Sequence, residues 1–171
     1  LEDIAQEAGL TRGAIYWHFG NKLELYRALV EECTAKIQKK IGAILSTELS
    51  PFQKIREVVT HFLSRMDEDN VIHDIYALAG FRTEMTKEIQ PTERPFVSVL
   101  HQIVELFASL GEAAQAKGEI RADINPRDLA WAIVVYFRGA LSFSMDEQKL
   151  FSSGGKAEAL VDLFLKGVTK K

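Results

Sequence analysis

The residues best equipped for chemistry stand in one run, Thr11-Arg12-Gly13-Ala14-Ile15-Tyr16-Trp17-His18-Phe19. The run mixes a cation, hydroxyls, an imidazole and two very small residues, which suits a surface that reads an anionic partner rather than a bond-breaking centre. Ala5, Gly9 and Ile15 have the spacing of a helix-turn-helix. In such a unit the small residue lets two helices cross closely, the glycine turns the chain and the isoleucine plugs the crossing. Its second helix enters the DNA major groove. There Thr11 and the first backbone amides can hold a phosphate at the positive end of the helix, and Arg12 can reach a guanine edge or a phosphate. Gly13 and Ala14 permit close approach, with the Ala14 methyl able to touch thymine. Tyr16 and His18 offer groups to phosphates or base edges, Trp17 packs against sugar–phosphate, and Lys22 clamps a phosphate from the next helix. Ile15 and Phe19, four apart on the remaining face, belong to the core.

Other polar residues invite an enzyme reading. His61, His73 and His101 lie among apolar neighbours, with Arg65, Glu84 and Glu105 as possible partners. A di-metal bundle needs Glu-x-x-His pairs on two helices, and the sequence contains none. It also lacks a His-x-x-x-His pair, a P-loop, a G-x-S-x-G elbow and a G-x-G-x-x-G turn. Neither catalysis nor a metal or cofactor is expected.

Helices must position these residues, and the whole chain reads as all-α. Leu1, Ile4, Ala5 and Ala8 give the first helix one narrow apolar face, ended at Gly9, and Thr11 caps the second. Asn21 caps a helix from about Lys22 to Ser46, with Tyr26, Val30, Cys33, Ile37, Ile41 and Ile44 in step. At 1.5 Å per residue it spans about 36 Å, enough to link a small head to a larger body. Ser50 and Pro51 open a helix to about Met66, and Val71 to Ala79 gives a shorter one after the Asp67–Asn70 turn. Thr92 to Lys117 is apolar over much of its circumference, with Phe96, Leu100, Ile103, Phe107, Leu110 and Ala114 in one stripe. Asn125 and Pro126 begin a helix whose run Leu129–Phe137 predicts burial, Ser142 to Gly155 reads as loop, and Lys156 to Val168 is a last amphipathic helix.

The chain has 171 residues, is 47% hydrophobic and carries a net charge of −3. That charge excludes a protein that coats nucleic acid non-specifically, and the head is no exception, since Arg12, Lys22 and Arg27 face Glu2, Asp3, Glu7 and Glu24. A few well-placed phosphate contacts from a dimer can replace a general positive field. No apolar run approaches the ~20 residues of a membrane span. The single cysteine, Cys33, excludes an internal disulfide and fits a cytoplasmic thiol buried on a helix stripe.

The segment DIAQEAGLTRGAIYWHFGNKLELYRALVEE resembles the AcrR-like helix-turn-helix head of the TetR family of bacterial transcriptional regulators. Gly118, Arg121, Asp123 and Pro126 also resemble that family's G-x-x-R-x-D-x-x-P turn. The resemblance implies a head at residues 1–27, with a further helix upstream against which Trp17 could pack, and an effector-binding and dimerisation body at 28–171. It implies a cytoplasmic, nucleoid-associated homodimeric repressor of double-stranded operator DNA, paired through the last two helices, about 125–142 and 156–168. A small, largely hydrophobic effector in the body would release it. The body's aromatics fit such a pocket or simply fill the core. The candidates are Phe62, Tyr76, Phe81, Phe96, Trp131 and Tyr136, with His61, Arg65, His101 and Glu105 as polar groups. Two alternatives are a helical small-molecule-binding or scaffold protein without DNA binding, and a helical-bundle enzyme.

Overall fold

A computed structural model describes residues 2–65, 95–146 and 155–170. In chain order the described helices are α1 (Glu2–Glu7), α2 (Arg12–Phe19), α3 (Lys22–Leu45), α4 (Pro51–Ser64), α5 (Pro95–Ala116), α6 (Pro126–Asp146) and α7 (Lys156–Lys166). Among the described residues the extended pairing is a single antiparallel bridge, Ile120 with Thr169. The expected helix at 71–79 lies outside the described residues.

Local chemistry starts and stops these helices. Ser50 and Gln53 form a reciprocal capping box, the Gln53 N–H donating to Ser50 Oγ at 3.3 Å and the Ser50 N–H to Gln53 Oε1 at 2.9 Å, with Pro51 in the first turn. The side chain of Asn21 accepts the Glu24 N–H at 2.9 Å and opens α3. Gly118, at φ +71°, ends α5 in a left-handed conformation that any side chain would strain.

α3 joins the parts. It contacts α2 near the head and α4 and α5 further along, where Ile37, Ile41 and Ile44 pack against the body core. Cys33 is buried on it. The body core is built by Ile55, Val59 and Leu63 of α4 with Val104 and Phe107 of α5, Ile133 of α6 and Val161 of α7. Pro126, at the start of α6, lies so near Gly111 that a Cβ there would sit 3.2 Å from the proline ring, which lets α5 and α6 form a close antiparallel hairpin.

Four expectations are corrected. On α1 only Ala5 is buried, while Ile4 and Ala8 are exposed, because a six-residue helix presents a single turn to α2. α6 does not stop near Ser142 but continues to Asp146, no glycine or proline intervening to break it. The run Leu129–Phe137 is not buried all round: Leu129, Ala130 and Ile133 are buried, whereas Trp131, Ala132 and Val135 face outward. α7 ends at Lys166, and the chain then leaves the helix to pair with Ile120.

Candidate functional site

The head is organised by its turn. Gly9 has φ +66°; its N–H donates to the Gln6 carbonyl at 3.1 Å and the Leu10 N–H to that of Ala5 at 2.8 Å. This paired pattern closes α1. Two residues later the Thr11 hydroxyl accepts the Ala14 N–H at 3.1 Å and opens α2. Ile15 is buried and Phe19 half-buried, so the opposite side of α2 is left to solvent.

That side carries the chemistry. Arg12, Gly13, Tyr16, Trp17 and His18 are all exposed, Trp17 to 82%. The Arg12 guanidinium lies over the Tyr16 ring, 5.3 Å from its centroid, and 3.9 Å from the Glu2 carboxylate. Trp17 and His18 meet edge to face at 4.7 Å. Ala14 and Lys22 are half-buried, and Thr11 is exposed while its hydroxyl oxygen serves the cap. A short helix with a cation and three flat polar-tipped side chains on its exposed face can meet a phosphate backbone and base edges together. Both partners holding Arg12 are weak enough to exchange for phosphate, since the ion pair is long and solvated.

The body's candidates do not all converge. Phe62 is buried, edge-on to Phe137 of α6 at 6.3 Å, and half-buried His61 sits edge-on to Phe62 at 5.4 Å with its Nε2 shut off from solvent. Thr60, which sequence reasoning missed, is buried on the same helix as Phe62, and among the described residues its hydroxyl has no hydrogen-bond partner. No signal distinguishes it in the sequence, because threonine on an apolar helix is ordinary. Tyr136 instead stacks on Phe164 of α7 at 4.9 Å, where burial pushes its phenol up. Arg65, His101 and Glu105 are exposed rather than turned inward. His101 and Glu105 share the outer face of α5, opposite Val104 and Phe107, and Glu105 is paired with Arg127 of α6. Trp131 is likewise on the outside. Tyr76 and Phe81 lie outside the described residues, as does the side chain of Phe96.

Among the described residues no three His, Cys, Asp or Glu side chains gather into a metal site, and no helix is long and apolar enough to cross a membrane.

A family model described as bacterial regulatory proteins, tetR family, matches residues 1–29, the segment that builds α1, α2 and the start of α3. Over 145 residues the chain is 30% identical to a probable HTH-type transcriptional regulator, ArpR of Pseudomonas putida, covering 82% of this chain and 68% of that one. The chain belongs to the TetR family. As a TetR-family member it is a DNA-binding transcriptional regulator and not an enzyme. Its fold is that of NalD, the secondary repressor of the MexAB-OprM multidrug efflux pump in Pseudomonas aeruginosa, with a TM-score of 0.77 at 20% identity over 99% of this chain and 86% of NalD. It is also that of SmeT from Stenotrophomonas maltophilia in its triclosan complex, with a TM-score of 0.72 at 22% identity over 99% of this chain and 81% of SmeT.

Proposed function

We propose that this TetR-family regulator is a cytoplasmic homodimeric repressor whose α2 reads the major groove and whose body binds a small, largely apolar effector that releases it. The exposed polar face of α2, held by the Gly9 turn and the Thr11 cap, carries the reading. On it, Thr11 and Lys22 hold phosphates, Arg12, Tyr16 and His18 reach phosphates or base edges, Gly13 and Ala14 allow approach, and Trp17 lies along the backbone.

The pairing surface is the outer face of α6 and α7. Trp131, Val135 and Phe143 on α6 are 39%, 67% and 64% exposed, and Leu163 on α7 is 66% exposed. Gly139 falls in the same i, i+4 row with open space over it. A row of large apolar side chains in solvent marks an interaction surface. A two-fold axis across it makes the contact self-complementary and sets two heads in successive major grooves roughly 34–36 Å apart.

The effector reading rests on buried Phe62, which meets half-buried His61 and Phe137 edge-on, and on the buried hydroxyl of Thr60 on the same helix. SmeT, which shares the fold, forms a complex with the small molecule triclosan. The head at 1–27 and the body at 28–171 meet within α3, so this helix can transmit a change provided the effector binds one head spacing better than another. Selection of the protein on a pool of random duplexes tests the reading. Enrichment of a two-fold-symmetric sequence is expected; recovery of the starting pool would contradict it.

A further inference from the structure

The turn between α5 and α6 does more than reverse the chain. Glu119 Oε2 accepts the Phe52 N–H in the first turn of α4, 3.0 Å away. Its neighbour Ile120 is buried and bridges to Thr169, beyond the end of α7. The Arg121 N–H donates to the Val168 carbonyl at 3.0 Å, and its guanidinium donates to the Gly167 carbonyl at 3.1 Å. Asp123 grips the same guanidinium with both carboxylate oxygens, at 3.0 and 2.5 Å. From inside, the Gln115 side chain donates to the carbonyls of Arg121 and Ile124 at 2.9 and 2.5 Å. Three consecutive residues thus reach two helices far apart in sequence, and the loop that presents them is internally braced.

We propose that residues 115–125 form a coupling joint that locks the α3–α4 corner to the C-terminal end of α7. Glu119 and Arg121 are its two jaws. α4 begins only a few residues after α3 ends, so the joint fixes the body end of the linking helix. A displacement of α7 is then carried by the Arg121 jaw through one peptide segment to the Glu119 jaw and the first turn of α4. The use of this joint in regulation rests on α6 and α7 being the pairing surface; the coupling itself does not. Coupling of this kind requires that the joint have two arrangements which both ends bias, and that is what the exchange comparison detects.

Hydrogen exchange of backbone amides in the full chain tests it. Glu119→Ala removes the α4 contact and leaves every group on α7 in place, whereas Arg121→Ala removes the guanidinium's hold on Gly167 and Asp123, keeps the backbone bond to Val168 and leaves the α4 contact in place. With coupling, Glu119→Ala speeds exchange at the far jaw, at the Arg121 amide bonded to Val168, and Arg121→Ala speeds it at Phe52, each by roughly twofold or more. Acceleration confined to the contact that each variant removes would overturn the proposal. Should Arg121→Ala fail to fold, Arg121→Lys keeps the charge but loses the two-pronged grip on Asp123, and gives the same comparison.

Discussion

The head keeps Ala5 and Ile15 out of solvent across α1 and α2, whereas α4 alone buries Ile55, Val58, Val59, Thr60, Phe62 and Leu63. The two regions are therefore held by different physics. The head depends on backbone chemistry, with a left-handed glycine, a threonine cap and an asparagine cap each closing one helix end. The body depends on apolar area contributed by helices distant in sequence. A unit with so few buried residues opens locally at lower cost than the core it is attached to.

Substitutions can break the comparison region by region. Leu63→Ala leaves a cavity at a site with no solvent exposure and should cost the whole protein about 2–5 kcal/mol, read as a lower urea midpoint. Ile15→Ala should lower the opening free energy of α1 and α2 by about 2 kcal/mol in hydrogen exchange and abolish DNA binding, with the body's midpoint almost unmoved. Equal effects of the two on the global midpoint would show that head and body unfold as one unit. Thr11→Ala should cost α2 about 1 kcal/mol through loss of its cap, again visible only in head amides.

The smallest effect concerns pH. The Asp162 carboxyl is held below its ordinary value of 3.8 by its hydrogen bond to the Arg56 guanidinium, at 2.8 Å between α7 and α4. A carboxyl whose folded value is lowered stabilises fully above its unfolded value and loses that contribution as pH falls through the folded one. Wild type and Asp162→Asn should therefore differ slightly at pH 7, begin to approach each other below pH about 3.8 and converge only once pH has fallen through the lower folded value, in thermal melts of the two proteins across that range. Being solvated, this pair should move stability far less than any core change.

The head was legible in sequence because its determinants are local. Gly9, Thr11 and Asn21 act on backbone groups within a few residues, as Ser50 with Pro51 does in the body, so their types and spacing carry the answer. Burial is not local. An apolar residue reads as core whatever covers it, so the Leu129–Phe137 run hid the fact that Trp131 and Val135 are uncovered in the chain itself. His101 and Glu105 share a helix face, but only the placement of α6, with Arg127 opposite Glu105, shows that the face points outward. The Thr60 hydroxyl matters only because nothing among the described residues bonds it, a property that no sequence displays. The G-x-x-R-x-D-x-x-P turn was visible as a pattern, yet its reach to Gly167 and, through Glu119, to Phe52 depends on the folded chain.

The central claim is that the outward face of α2 reads DNA for a dimer that the body holds together. Titration of the selected duplex with wild type and Tyr16→Ala, alongside sedimentation of both proteins, tests it most directly. Tyr16 is an exposed ring that packs on Arg12, so its loss should leave the fold and the dimer mass unchanged. The expected result is a drop in affinity of about tenfold, the size of one or two lost polar contacts to DNA. Equal affinity of the two proteins, both dimeric, would contradict the assignment of α2 as the reading element.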